Sequence, residues 1–158
     1  MELSTILISS AWAGLFASGW AVLLTAPARF IAAAFVGGFA ARFARDALTS
    51  WGLSQNWSTA FAAAIVVLIA VAITRRNAVS PVVLVTGVLP LGAVVAMFYT
   101  IILLMKVSFL TGEALNGAVV ELSANLGKAF TTTLAIALGL GAGLGIARFS
   151  WREDSQEG

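Results

Sequence analysis

The chain has 158 residues, of which 60% are hydrophobic and 10% charged, with a formal net charge of +2. An ordinary soluble domain is about a quarter charged, so a water-soluble fold could not hide this much apolar side chain. The scattered Lys and Arg residues make no basic footprint for nucleic acid. With no Cys and no His, disulfides, thiolate or imidazole metal sites, cysteine nucleophiles and histidine acid–base chemistry are all excluded. No metal and no cofactor is expected, and no acid, base and nucleophile set converges that would make the chain an enzyme.

Five apolar stretches follow in chain order, each near the roughly 20 residues that a helix needs to cross a bilayer. They run over residues 5–24, 30–48, 58–74, 82–105 and 129–147. Breakers separate them: Thr25-Ala26-Pro27, then Gly52 to Asn56, then Arg75-Arg76-Asn77 through Pro81, then a longer polar stretch from Lys106 to Lys128. The expected fold is an all-α membrane bundle of about five transmembrane helices, forming one domain over residues 1–149, with a short polar tail over 150–158. The first stretch lacks a basic start and is longer than a signal-peptide core, so it reads as a retained helix.

The second stretch carries Arg42, Arg45 and Asp46 roughly 18 to 24 Å along a helix that starts at Phe30, at 1.5 Å rise per residue. Arg42 and Asp46 stand four residues apart and can pair on one face. Ionisable groups inside a span mark substrate or ion pathways; the competing reading is that the helix is ending and the groups snorkel to the interface. The fourth stretch contains Gly87-Val88-Leu89-Pro90-Leu91-Gly92. Pro90 removes a backbone hydrogen bond, and Gly87 and Gly92 permit bending or unwinding, so the fourth helix is expected to break here. Broken helices of this kind build transporter sites, although proline kinks without function are frequent in membrane helices.

The polar stretch from Lys106 to Lys128 is too polar to span and reads either as an amphipathic helix or as an extension of the fifth helix beyond the bilayer. Asn125 and Lys128, just before Thr131, Thr132 and Thr133, are pore candidates, while the threonines read as bonded to their own preceding turn. Gly139, Gly141, Gly143 and Gly145 make two overlapping small-xxx-small pairs, a groove for close helix packing within the chain or with a partner. The Trp residues at 12, 20, 51, 57 and 151 read mostly as interfacial anchors. Counting basic residues in short loops puts Arg29, Arg75, Arg76, Arg148 and Arg152 on one side, against Lys106 and Lys128, joined by Arg42 and Arg45 if these reach that surface. The amino terminus is thus expected outside and the carboxyl terminus in the cytoplasm.

The segment from Arg45 to Thr59, with Gly52-Leu53 and Trp57-Ser58-Thr59, together with Gly87-Val88-Leu89-Pro90-Leu91, resembles the five-helix, small-subunit half of the threonine/serine exporter family. The resemblance extends over the whole chain in length and span pattern, through short motifs. It implies a bacterial inner-membrane protein that works with a companion membrane subunit in a ten-helix exporter of small amino acids or dicarboxylates, coupled to protons. It sets Arg45, Trp57, Ser58, Thr59, Gly87 and Pro90 on motif positions. Two departures stand out: Arg42 occupies the place of a frequent family His, and Ala93-Val94 that of a second Pro-Gly.

Two functions follow from these readings. In the first, Arg42 or Arg45 attracts a small carboxylate-bearing substrate, Asp46 tunes that charge or carries a proton, and the break at Pro90 and Gly92 supplies backbone groups and a hinge. In the second, the chain is a non-transporting assembly subunit whose glycine-rich last helix docks the transport-competent partner. Five is an odd number of spans for a self-contained carrier built from repeats, so a second half is expected from another chain or from another copy of this one.

Overall fold

The computed structural model describes residues 3–73 and 81–154, and every regular element among them is helical. The basic pair Arg75-Arg76 and the end of the tail lie outside the described residues. In chain order the elements are α1 (Leu3–Leu23), α2 (Ala28–Ser50), α3 (Gln55–Ile73), α4 (Pro81–Val88), a 3₁₀ turn (Leu89–Leu91), α5 (Ala93–Phe109) and α6 (Glu113–Asp154).

Three helices are long and apolar enough to cross a membrane: α1, α3 and the Glu113–Ala147 part of α6. The others fall short for separate reasons. α2 has the length, at 23 residues, but carries Arg29, Arg42, Arg45 and Asp46. α4 and α5, at 8 and 17 residues, are each shorter than the roughly 20 that spanning requires. α6 is a single helix of 42 residues, so the polar stretch from Lys106 to Lys128 is no separate element: it begins in the last residues of α5, and Glu113 to Lys128 form the first turns of α6.

Local chemistry sets the helix ends. Pro27 precedes α2, where its missing N–H removes no helical bond. At the other end Gly52 takes φ +93°. Its N–H reaches the Thr49 carbonyl at 3.1 Å and that of Leu53 reaches Leu48 at 3.2 Å. These are the paired bonds of a Schellman cap, which needs a left-handed residue that glycine adopts without a Cβ clash.

The helices gather into two compact units, Met1–Leu91 with Ala135–Gly158, and Gly92–Leu134. The first is organised around α2, which packs against α1, α3, α4 and the 3₁₀ turn. Its contact face is made of small residues, Ala33, Ala34, Gly37, Gly38 and Ala41, all buried. One core cluster joins Ala41 to Ala62, Ala63, Val66 and Leu91, and another joins Ala33 to Ala70 and Val83. In lipid there is little hydrophobic gain from bringing helices together, and backbones that approach over small residues supply dispersion contact instead. Gly87 belongs to this packing: it lies inside α4, and a Cβ there would stand 2.6 Å from Val66 Cγ1.

The last part of α6 joins the first unit through two of its glycines. A Cβ on Gly139 would lie 2.1 Å from the Ala60 carbonyl oxygen, and one on Gly143 would lie 2.8 Å from Val67 Cβ, so both seat α6 on α3. Gly141 and Gly145 meet nothing within 4 Å and are exposed. In the second unit, α5 and the first part of α6 line an open groove of about 410 Å³, formed by Met97, Thr100, Ile101, Leu126, Ala129, Phe130 and Thr133.

Candidate functional site

Charge inside the first unit collects in the last third of α2. Arg42 and Asp46, one turn apart, share a face, and Arg42 Nε donates to Asp46 Oδ2 at 2.8 Å. Asp46 is 6% exposed while the Arg42 side chain is 29% exposed. The carboxylate is therefore the buried member, and the guanidinium is the one that reaches outward. Among the described residues the pair is joined by α1, where Ser9 Oγ donates to the same Oδ2 at 3.1 Å.

Arg45, one residue before Asp46, leaves the helix in another direction. Its Nη1 donates to the Leu91 carbonyl at the end of the 3₁₀ turn. That carbonyl sits where the helical ladder stops. Pro90 has no N–H to give, and Gly92 turns left-handed at φ +98°, a conformation that costs glycine little. The ladder resumes with the Ala96 N–H on the Gly92 carbonyl at 3.1 Å. A carbonyl released in apolar surroundings is costly unless it finds a donor, and a guanidinium supplies a charge-assisted one. Arg45 thus ties α2 to the interrupted segment, and the side chains of α2 and the Pro90 turn that the sequence singled out separately are brought into contact.

The remaining candidates are placed elsewhere. Asn125 and Lys128 belong to the second unit, on α6, where Asn125 is half-buried and Lys128 exposed. Thr131 and Thr133 bond back to the carbonyls of Gly127 and Ala129, at 2.9 and 2.8 Å. The motif residues Ser58 and Thr59 are buried and bond back to the Ser54 and Gln55 carbonyls, at 3.1 and 2.7 Å. Trp57 is exposed. Among the described residues no group of three or more acidic side chains gathers in a metal-holding arrangement.

Ser9 is the site residue that sequence reading missed. A serine inside an apolar helix ordinarily returns its hydroxyl to its own preceding turn. Its neighbour Ser10 does so, bonding the Ile6 carbonyl at 2.7 Å, and Ser18 bonds Gly14 at 2.6 Å. No spacing in the sequence separates Ser9 from these two; only the approach of α2 does.

Chemically, the cluster offers a buried carboxylate, a partly exposed guanidinium beside it, and a second guanidinium anchoring a helix interruption. These are the parts from which proton or carboxylate handling inside a membrane is built. Comparison of the chain with protein-family models, with characterised proteins and with solved structures returned no match.

Proposed function

We propose that the chain is one subunit of a proton-coupled secondary transporter that exports small amino acids of the threonine and serine type, or dicarboxylates, across the bacterial inner membrane, together with a companion membrane subunit. The observation that carries the reading is the convergence of Arg42, Asp46 and Arg45 with the interrupted segment at Leu91: ionisable groups in an apolar helix, beside a carbonyl freed from its ladder. Ionisable groups inside a membrane helix mark substrate or ion pathways, and interrupted helices build transporter sites. The resemblance to the threonine/serine exporter half supplies the substrate class and the coupling ion.

In this reading the chain crosses the bilayer five times. α2 crosses with Arg42 paired to Asp46 and Arg45 bonded to the Leu91 carbonyl, and α4, the 3₁₀ turn and α5 make the fourth crossing. The amino terminus is outside and the tail cytoplasmic. Asp46 carries the proton, Arg42 meets the substrate carboxylate from its exposed side, and Arg45 holds the interruption about which the fourth crossing bends.

The test is efflux of threonine, serine and succinate from cells carrying the chain with the membrane protein encoded beside it, against cells lacking the chain. Arg45→Ala and Pro90→Ala are each expected to lower efflux at least tenfold at equal membrane abundance. Unchanged efflux in both variants would remove these residues from the mechanism.

A second reading, an assembly subunit without a pathway of its own, is favoured by one feature: Gly141 and Gly145 meet no neighbour, leaving a small-residue face on α6 while Gly139 and Gly143 are used within the chain. Bulky substitution at Gly141 and Gly145 that abolishes co-purification of the companion, with Arg45→Ala leaving efflux intact, would select it.

A further inference from the structure

Ser9 Oγ lies within reach of two acceptors, Asp46 Oδ2 at 3.1 Å and the Ile6 carbonyl at 3.0 Å, but a hydroxyl has one proton to give. The two acceptors are not equally dependent on it. The Ile6 carbonyl is already served by Ser10 at 2.7 Å, so Ser9 can turn its proton to Asp46 without stranding a buried group. On the carboxylate, Oδ2 takes both Arg42 Nε and Ser9, while Oδ1 accepts no hydrogen bond among the described residues. An incoming proton therefore meets Oδ1 as the open oxygen.

We infer that Ser9 is a positioning residue for Asp46, a role that rests on the transport reading above. When the carboxylate is charged, the Ser9 proton points to Oδ2 and ties α1 to α2. When Oδ1 takes a proton, Oδ2 loses most of its charge and the Ser9 proton returns to the Ile6 carbonyl. No proton leaves Ser9 in either state; its O–H bond rotates. The protonation of Asp46 is thereby converted into the presence or absence of a link between two helices. The charged groups that act on Asp46 from its surroundings are Arg42 and Arg45 of its own helix. The elements packed against α2, which are α1, α3, α4 and the 3₁₀ turn, carry no ionisable side chain among the described residues. Among the described residues the Ser9 hydroxyl is thus the one side chain of α1 that bonds the carboxylate.

The experiment uses everted membrane vesicles from cells carrying the chain and its companion, with radiolabelled threonine, serine and succinate as probes, in two modes. One mode is flux driven by an imposed proton gradient, and the other is exchange of internal for external substrate with no gradient. Ser9→Ala is expected to lower gradient-driven flux about tenfold, the equivalent of about 1.4 kcal/mol, which is the scale of one hydrogen bond to an ionised group. Exchange, which needs no net proton movement, stays within about twofold of wild type, and Ser9→Thr restores the driven flux. Equal loss in both modes, or no loss in either, overturns the role of Ser9 while leaving transport standing. Wild-type vesicles that perform no better than vesicles without the chain, in both modes, overturn the transport reading and this role with it.

Discussion

Two stretches of the chain set ionisable residues into apolar sequence, and they resolve the conflict in opposite ways. In the last third of α2, Asp46 is buried and Arg42 and Arg45 are partly buried, and each finds a partner: Asp46 for Arg42, the Leu91 carbonyl for Arg45, and Ser9 as a second donor to Asp46. In the first part of α6, Glu113, Glu121 and Lys128 are exposed. Sequence alone sets the first inside an apolar stretch or near its end, and reads the second as a connection too polar to span. The difference lies in the company each helix keeps. α2 presents Ala33, Ala34, Gly37, Gly38 and Ala41 to three neighbouring helices, so backbones come close enough for its polar groups to be answered. A charge that is buried and answered becomes expensive to disturb; one left at the surface does not.

The sharpest way to break this comparison is Arg42→Ala. It leaves Asp46, 6% exposed, with the neutral Ser9 donor in place of its ion-pair partner, and truncating one member of a buried pair costs about 3–5 kcal/mol. Thermal unfolding in detergent should register a large drop in midpoint. Asp46→Ala should cost less, because the remaining Arg42 already reaches outward. A smaller cost for Arg42→Ala than for Asp46→Ala would mean that the carboxylate is not the buried member.

Next in size, the two glycine pairs of α6 offer a control within one helix. Gly139→Ala forces a Cβ against the Ala60 carbonyl and should destabilise by about 1–3 kcal/mol, as overpacking does. Gly141→Ala meets open space and should be neutral or stabilise by up to about 1 kcal/mol through helix propensity. Equal effects at the two positions would contradict the seating of α6 on α3. The smallest effect belongs to the exposed charges: Lys128→Ala and Glu121→Ala should each stay within about 0.5 kcal/mol of wild type, measured by the same unfolding assay. A loss of several kcal/mol at either would erase the contrast between the two stretches.

Much of the helical layout could be read from apolar run length alone, because a run near 20 residues bounded by Pro, Gly or charge has few alternatives in a chain of this composition. Thus the stretches at 5–24 and 58–74 coincide closely with α1 and α3, and that at 129–147 falls inside α6. The i, i+4 pairing of Arg42 with Asp46 was legible for a similar reason, being local. Two contacts of the site were not. Arg45 meets a carbonyl 46 positions away and Asp46 meets a serine 37 positions away, and neither a backbone acceptor nor one serine among several in α1 leaves a pattern in sequence. Gly87 shows the same limit from the packing side. Its place beside Pro90 marks it as a site for bending, yet its Cβ-free surface is taken up by Val66.

The order of these partners along the chain has a consequence for biogenesis. As α2 emerges from the ribosome, Ser9 is already made and Asp46 lies four residues past Arg42, so α1 and α2 can pair with that cluster answered. Arg45 has no such early partner, since Leu91 arrives 46 residues later. Pairing of α1 with α2 therefore leaves one guanidinium without its backbone acceptor, and arrival of the 3₁₀ turn at Leu89–Leu91 is the step that draws it in.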